Sequence, residues 1–212
     1  MITLHGYYRS SAAYRVRIAL NLKEIEYCTA AVNLLAGEQK SEKYLTLNPQ
    51  GLLPALELPN GSLITQSPAI LEYLEESYPT PSLFPSEPLA RAQARALAAA
   101  IGCDIHPLNN LRVLKFLTGE LGLNETAKNH WYHHWIAETF EAIEKQLADR
   151  DFAGGDQPGM ADCYLIPQVY NALRFSQPMA AYPNINRITA NCESLKAFQQ
   201  AAPELQPDAP AS

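Results

Sequence analysis

Tyr7-Tyr8-Arg9-Ser10-Ser11-Ala12-Ala13-Tyr14-Arg15-Val16-Arg17-Ile18-Ala19-Leu20 follows a short apolar run at residues 2–4. Together they read as a strand, a turn and a helix start. Ala12, Val16, Ala19 and Leu20 recur at helical spacing, and the two serines in front are placed to cap amide N–H groups that no earlier turn can satisfy. Such a helix start carries partial positive charge and free donors, so it attracts anions. A thiolate held there is stabilised, its pKa lowered from about 8.5 toward neutrality. No cysteine lies near in sequence; the next one downstream is Cys28, on what reads as the following strand. The sulfur therefore comes from a ligand, or else Ser10 and Ser11 are simply caps. The stretch by itself leaves both readings open.

Working outward, residues 26–32 are β-prone and form a second strand, parallel to the first through the helical crossover. Residues 34–47 are polar and loosely helical. Asn48-Pro49-Gln50-Gly51-Leu52-Leu53-Pro54 then leads into two apolar runs separated by Pro59-Asn60-Gly61, a hairpin signal because Asn and Gly both tolerate positive φ. Pro54 opens the first hairpin strand, a permitted place for proline, and by pattern alone its peptide bond is trans. In Gln66-Ser67-Pro68-Ala69-Ile70-Leu71, Ser67 reads as the N-cap and Pro68 as the first helical residue, giving a second helix terminus able to seat an anion. Without further information Ser67 reads as a cap and nothing more.

Residues 78–88 hold Pro79, Pro81, Pro85 and Pro88, which stop the helix and stiffen a connection. The expected organisation is an α/β domain over 1–80, a linker over 81–88 and an all-α domain over 89–212. In the second domain the pattern predicts helices over 89–106 and 108–121, and a long one capped by Asn124 that reaches about residue 148. Pro107 interrupts the first pair, and His106, Asn109 and Arg112, three apart, are expected on one face. His130, His133 and His134 flank Trp131 and Trp135; with no carboxylate or cysteine at ligand spacing beside them, a polar–aromatic helix surface is expected and no metal. Gly154 to Val169 reads as a loop entering a buried helix, with Asp162 accepting backbone N–H groups at its start. The proline-rich tail, 203–212, is expected to lie extended.

With 212 residues, 47% hydrophobic, the chain has material for a substantial core. A net charge of −6 without blocks of like charge argues against a nucleic-acid surface. The four cysteines, Cys28, Cys103, Cys163 and Cys192, form no Cys-x-x-Cys pair and are expected to be reduced and buried. No leader-like segment or membrane span is read, and a cytoplasmic location is expected.

Arg9-Ser10-Ser11-Ala12-Ala13-Tyr14-Arg15-Val16-Arg17-Ile18-Ala19-Leu20 resembles the Arg-Ser-Ser-Cys-x-x-Arg-Val-Arg-Ile-Ala-Leu signature of zeta-class glutathione transferases, the maleylacetoacetate and maleylpyruvate isomerase family. Ala12 stands where that family usually has cysteine. The likeness extends through Pro54, Gln66-Ser67, His106-Pro107-Leu108-Asn109-Asn110, Asp162, Arg174, Tyr182-Pro183 and Gln206-Pro207-Asp208, nearly the whole chain. It implies a thioredoxin-like first domain, a cis bond before Pro54 and a homodimer. Glutathione is the cofactor implied, contacted by Ser10, Ser11, Gln50, Leu53, Pro54, Gln66, Ser67, His106 and Asn110. The substrate residues implied are Arg9, His106, Arg112 and Arg174, with Arg9, Ser10 and Ser11 catalytic; His106 replaces a family glutamine, and Gly159 replaces the hydroxyl residue that caps the helix of Asp162.

The chemistry implied is a glutathione-dependent cis–trans isomerisation of a maleyl keto acid, with no nucleic-acid or membrane partner. Arginine suits dicarboxylate substrates because its planar fork holds a carboxylate bidentately and stays charged. Maleylacetoacetate and maleylpyruvate are not separated by these residues. A conjugating transferase or dehalogenase, and a non-catalytic interaction protein of the same fold, remain as alternatives, the last disfavoured by retention of both Ser10-Ser11 and Gln66-Ser67.

Overall fold

Burial alternates along β1 (Ile2–Gly6), with Ile2, Leu4 and Gly6 turned inward, and this period-2 pattern sets which sheet face receives the first helix. That helix, α1 (Ser11–Leu22), is buried on every side from Ser11 to Leu20. The structure is a computed structural model and describes residues 1–210. Its chain divides into two compact units, Met1–Leu83 together with the chain from Glu193 onward, and the stretch from Phe84 to Cys192.

In the first unit β2 (Tyr27–Ala31) runs parallel to β1, with Ile2 opposite Tyr27. A short 3₁₀ turn, Glu38–Lys40, precedes α2 (Glu42–Leu47), whose cap is Ser41. β3 (Ala55–Glu57) is antiparallel to both β1 and β4 (Leu63–Thr65), so the four strands lie in the order β2-β1-β3-β4. The hairpin expected at Asn60-Gly61 is present, but its turn differs from a two-residue one. Leu58 N–H donates to Ser62 C=O and Gly61 N–H to Leu58 C=O, making a three-residue loop in which Gly61, not Asn60, takes positive φ, +81°. α3 (Ser67–Ser77) follows, and its cap is Gln66. Ser67 is thus the first helical residue, a correction to the expected register.

The second unit contains α4 (Pro88–Ala99), which passes into one wide turn, Ala100–Ile105, closed by His106 N–H to Ile101 C=O. α5 is shorter than the pattern predicts, Leu111–Gly119, because Pro107 to Asn110 form a turn and Asn110 caps a fresh helix. His106 and Arg112 consequently do not share one continuous helix face, contrary to expectation. α6 (Glu125–Gln146) starts at the Asn124 cap as anticipated. α7 (Met160–Arg174) is buried without interruption from Met160 to Val169, and α8 (Pro183–Glu193) completes the set. The core joins Leu97, Ile101, Ile105, Tyr132, Ile136, Phe140, Leu165 and Ile185.

The chain beyond α8 belongs with the sheet: α9 (Lys196–Ala201) packs on α1. Residues 203–205 then form a 3₁₀ turn with Pro203 and Gln206 buried, rather than an extended tail; residues 211 and 212 lie outside the described part. The reading of 89–212 as one domain therefore divides at α8. Sequence pairing hid this, because the α9 contacts come from α1, some 180 positions away. Leu53-Pro54 is cis, as the resemblance implied, and Thr80-Pro81 is cis as well. Cys163 and Cys192 are buried, whereas Cys28 and Cys103 are exposed, against expectation; none of the four forms a disulfide. Among the described residues no helix is long and apolar enough to cross a membrane.

Candidate active site

The turn between β1 and α1 is closed by Ser10 N–H donating to Tyr7 C=O at 2.9 Å. Ser10 caps α1, its Oγ accepting from Ala13 N–H at 3.2 Å. A hydroxyl that accepts on one lone pair still carries its own proton, so Ser10 retains a donor for an incoming anion. No acidic side chain occupies the first turn of α1, which leaves the positive end of the helix dipole uncompensated from within the helix. Ser11 sits one step inside and is buried. Arg9 is half-buried, its guanidinium carbon 5.1 Å from the centre of the Tyr8 ring and Nη2 3.4 Å from Tyr7 Oη.

Across the sheet, the loop into β3 is shaped by two buried side chains that sequence reasoning passed over. Asn48 Nδ2 and Tyr44 Oη both donate to Leu52 C=O, at 2.9 and 2.8 Å, and Asn48 Oδ1 receives Gln50 N–H at 3.2 Å. Gly51 is required in this loop: φ is +60°, and a Cβ would stand 2.8 Å from Gln39 C=O. These bonds set the path of Leu53 and cis Pro54.

At the start of α3, Gln66 adopts φ +69° and ψ +114°, an uncommon conformation for a residue with a side chain and one that collects at binding sites. Its Nε2 donates to Gln50 Oε1 at 2.8 Å, which joins two of the residues implicated from sequence. Ser67 is 3% exposed, and its Oγ accepts from Arg15 Nη1 at 3.4 Å; Arg15 is itself 2% exposed. Arg15 reads in sequence as an ordinary helix residue, because its i±3 and i±4 neighbours do not reveal which helix lies over it. The first unit thus brings together Arg9, Ser10 and Ser11 on one terminus, Gln50, Leu53 and Pro54 on a loop, and Gln66 and Ser67 on a second terminus. Donors at two helix starts on packed helices fit a ligand with a thiolate at one place and a carboxylate at another, as glutathione has.

In the second unit His106 and Asn110 bracket the turn before α5, Asn110 Oδ1 accepting Arg112 N–H at 3.1 Å. α6 fixes that turn: Trp131 Nε1 donates to Leu108 C=O at 3.0 Å, and Asn109 Nδ2 to Tyr132 C=O at 3.1 Å. Tyr132 stacks on Phe175 at 3.8 Å between centroids, and Arg174 lies over the other ring system, 4.8 Å from the Phe175 centre. Burial pushes the Tyr132 hydroxyl pKa upward, with Arg174 opposing. Arg112 and Arg174 are exposed.

The histidines of α6 divide. His133 Nε2 lies 2.6 Å from Phe175 C=O, while His134 Nε2 is 3.4 Å from Glu138, a carboxylate one turn on that the sequence reading passed over. Among the described residues no group of three or more His, Cys, Asp or Glu is arranged for a metal ion.

Comparison with known proteins agrees with this geometry. The glutathione S-transferase N-terminal domain matches residues 9–77, and the glutathione S-transferase C-terminal domain matches 136–190. Maleylacetoacetate isomerase of Pseudomonas aeruginosa is 48% identical over 99% of both chains. A holo structure of maleylpyruvate isomerase, described as a bacterial zeta-class glutathione S-transferase, superposes with TM-score 0.95 at 45% identity, covering 98% of this chain and 100% of the other. A maleylacetoacetate isomerase from Methylobacterium extorquens AM1 with bound malonate and glutathione gives TM-score 0.94 at 40% identity, over 99% and 100% of the two chains. With its signature serines on a helix terminus, its cis-proline loop and these full-length relatives, the chain belongs to the zeta-class glutathione transferase family, that of the maleylacetoacetate and maleylpyruvate isomerases.

Proposed function

We propose that this protein is a glutathione-dependent cis–trans isomerase that converts maleylacetoacetate to fumarylacetoacetate in aromatic-compound or tyrosine catabolism. The observation that carries the reading is Ser10, which keeps a free hydroxyl proton at the uncompensated N-terminus of α1. When bound, glutathione supplies a thiolate that adds reversibly to the cis double bond and is released after rotation, so it is not consumed. Ser10 donates its hydroxyl proton as a hydrogen bond to sulfur, Ser11 acts as a second donor, and the helix dipole holds the negative charge. Leu53, before cis Pro54, offers its backbone to the cysteinyl part. Gln66 and Ser67 receive the γ-glutamyl carboxylate, with Gln50, His106 and Asn110 as further contacts. Arg9, Arg112 and Arg174 hold substrate carboxylates and favour enolate charge as it develops, and His106 lies on the substrate side.

Maleylpyruvate is the second reading, supported by the 0.95 TM-score of a maleylpyruvate isomerase. A homodimer in the cytoplasm is the expected setting, and sedimentation of the pure protein measures the former. The test of function is a spectrophotometric assay of both keto acids with catalytic glutathione. Turnover beyond the glutathione supplied is expected, the faster substrate naming the pathway. Glutathione consumed in proportion to product would instead mark a conjugating transferase, and glutathione binding without turnover an interaction protein.

A further inference from the structure

We infer that Asp208 and Arg17 are positioning residues that brace the turn from Tyr7 to Ser10 and so hold the Ser10 hydroxyl in line for the thiolate. The inference rests on the glutathione-dependent reading above. Tyr8 is the first of the two inner residues of that turn, and both of its backbone polar groups are taken by side chains from elsewhere in the unit. Its N–H donates to Asp208 Oδ2 at 2.9 Å, across 200 positions of sequence. Its C=O accepts from Arg17 Nη2 at 3.0 Å, and the same guanidinium donates through Nε to Ala201 C=O at 2.9 Å. One buried cation thereby joins the catalytic turn to the end of α9.

Arg17 is 2% exposed, so its fork is held by surrounding atoms and not by solvent. Burial lowers its pKa to about 10; Tyr27, Tyr14, Asp208 and Glu204 oppose that fall, and the group is charged at neutral pH. Asp208 is in turn positioned by its own segment: Ala209 N–H donates to Gln206 C=O, and Gln206 Nε2 to Gln200 and Ala202 carbonyls. The brace continues outward through the Tyr8 ring, which lies under Arg9. A turn held at both backbone groups has one position for Ser10. Loss of the outer bond leaves the turn free to shift by the fraction of an ångström that weakens a hydrogen bond to sulfur.

The experiment uses full-length D208A, D208N and Asp208→Glu, with ultraviolet titration of the enzyme-bound glutathione thiolate, steady-state kinetics and thermal melting. In D208A the thiolate midpoint is expected to rise by about one pH unit, a tenfold smaller thiolate fraction near neutrality, and kcat to fall about 10- to 100-fold. KM for the keto acid should change far less. D208N, whose amide oxygen still accepts the Tyr8 N–H, is expected to titrate like the wild type, and Asp208→Glu, with a displaced acceptor, to fall between. A D208A that melts earlier yet titrates as the wild type overturns the inference, leaving Asp208 a structural residue; so does a D208N no better than D208A. Absence of a thiolate band in the wild type overturns the glutathione reading, and the inference with it.

Discussion

Ser10 does two things with one oxygen, accepting the Ala13 N–H as a cap and keeping a proton to donate. The two roles separate in mutants. Ser10→Ala removes a donor aimed at developing or resident negative charge, and kcat is expected to drop by about 10²–10³, with about 1 kcal/mol of stability lost with the cap. Ser11→Ala, at a buried position, should cost about 1 kcal/mol of stability and raise the thiolate midpoint less than Ser10→Ala does; the reverse ranking would transfer the principal role to Ser11. The serine pair is legible in the sequence because a cap is a local device. Ser67 is not: it reads as a cap, whereas the chain enters α3 through Gln66 at positive φ. That conformation persists because surrounding contacts, such as Gln66 to Gln50, hold it, and these are not local.

At the scale of elements, the helix starts show how far caps can be read. Asn124 caps its own helix and is legible as such, whereas Asn110, which caps α5, reads in sequence as the interior of a helix. α8 is capped by Glu144 from the last turn of α6, which accepts Asn184 and Ile185 N–H at 2.8 and 3.0 Å from about 40 positions away. α7 begins at Gly159, so only the acidic half of a reciprocal cap exists: Asp162 takes Gly159 N–H at 2.9 Å and also Ala153 N–H at 2.8 Å. Burial raises the Asp162 pKa from 3.8 to about 6, despite those donors. The folded chain therefore binds a proton that the unfolded chain has already released, and the contribution of this group to stability falls as pH rises from about 4 to about 6. Asp162→Asn, which turns an amide donor toward a backbone N–H, is expected to lose about 2–3 kcal/mol at neutral pH. Chemical denaturation across that pH range should show the wild-type margin over Asp162→Asn narrowing with rising pH; a constant margin would deny the shifted titration.

For the whole molecule, the buried Lys23–Glu75 pair anchors the end of the sheet unit. Lys23 Nζ is 2.8 Å from Glu75 Oε2 and also donates to the Tyr78 and Pro81 carbonyls, while Glu75 receives Ser82 Oγ–H and Leu83 N–H. Lys23 Nζ and both carboxylate oxygens of Glu75 are paired within the cluster, so removing one partner strands the other. Lys23→Met is expected to cost about 3–5 kcal/mol, and Lys23→Met with Glu75→Leu less than the sum of the single changes. Burial alone would raise the Glu75 pKa, but the Leu83 N–H, Lys23 and Ser82 together lower it below its usual 4.5. Its stabilisation is thus present above that pH and lost as acid protonates it, opposite in sign to Asp162. A Lys23→Met midpoint within 1 °C of the wild type would remove this cluster from the account.

What the sequence by itself determined is what short-range patterning carries: the strand-helix-strand opening, the hairpin, the proline-stopped connection, the long α6 and the residues of the signature motif. Those depend on periodicity, caps and turn chemistry within a few residues. Tertiary structure alone decided which distant groups meet. It seated Arg15 beneath Ser67, held Tyr8 between Asp208 and Arg17, and returned α9 to the sheet unit. The reason is physical: a buried polar group must find a partner, and across 52 or 200 positions that partner is chosen by the packing of the whole chain rather than by its neighbours.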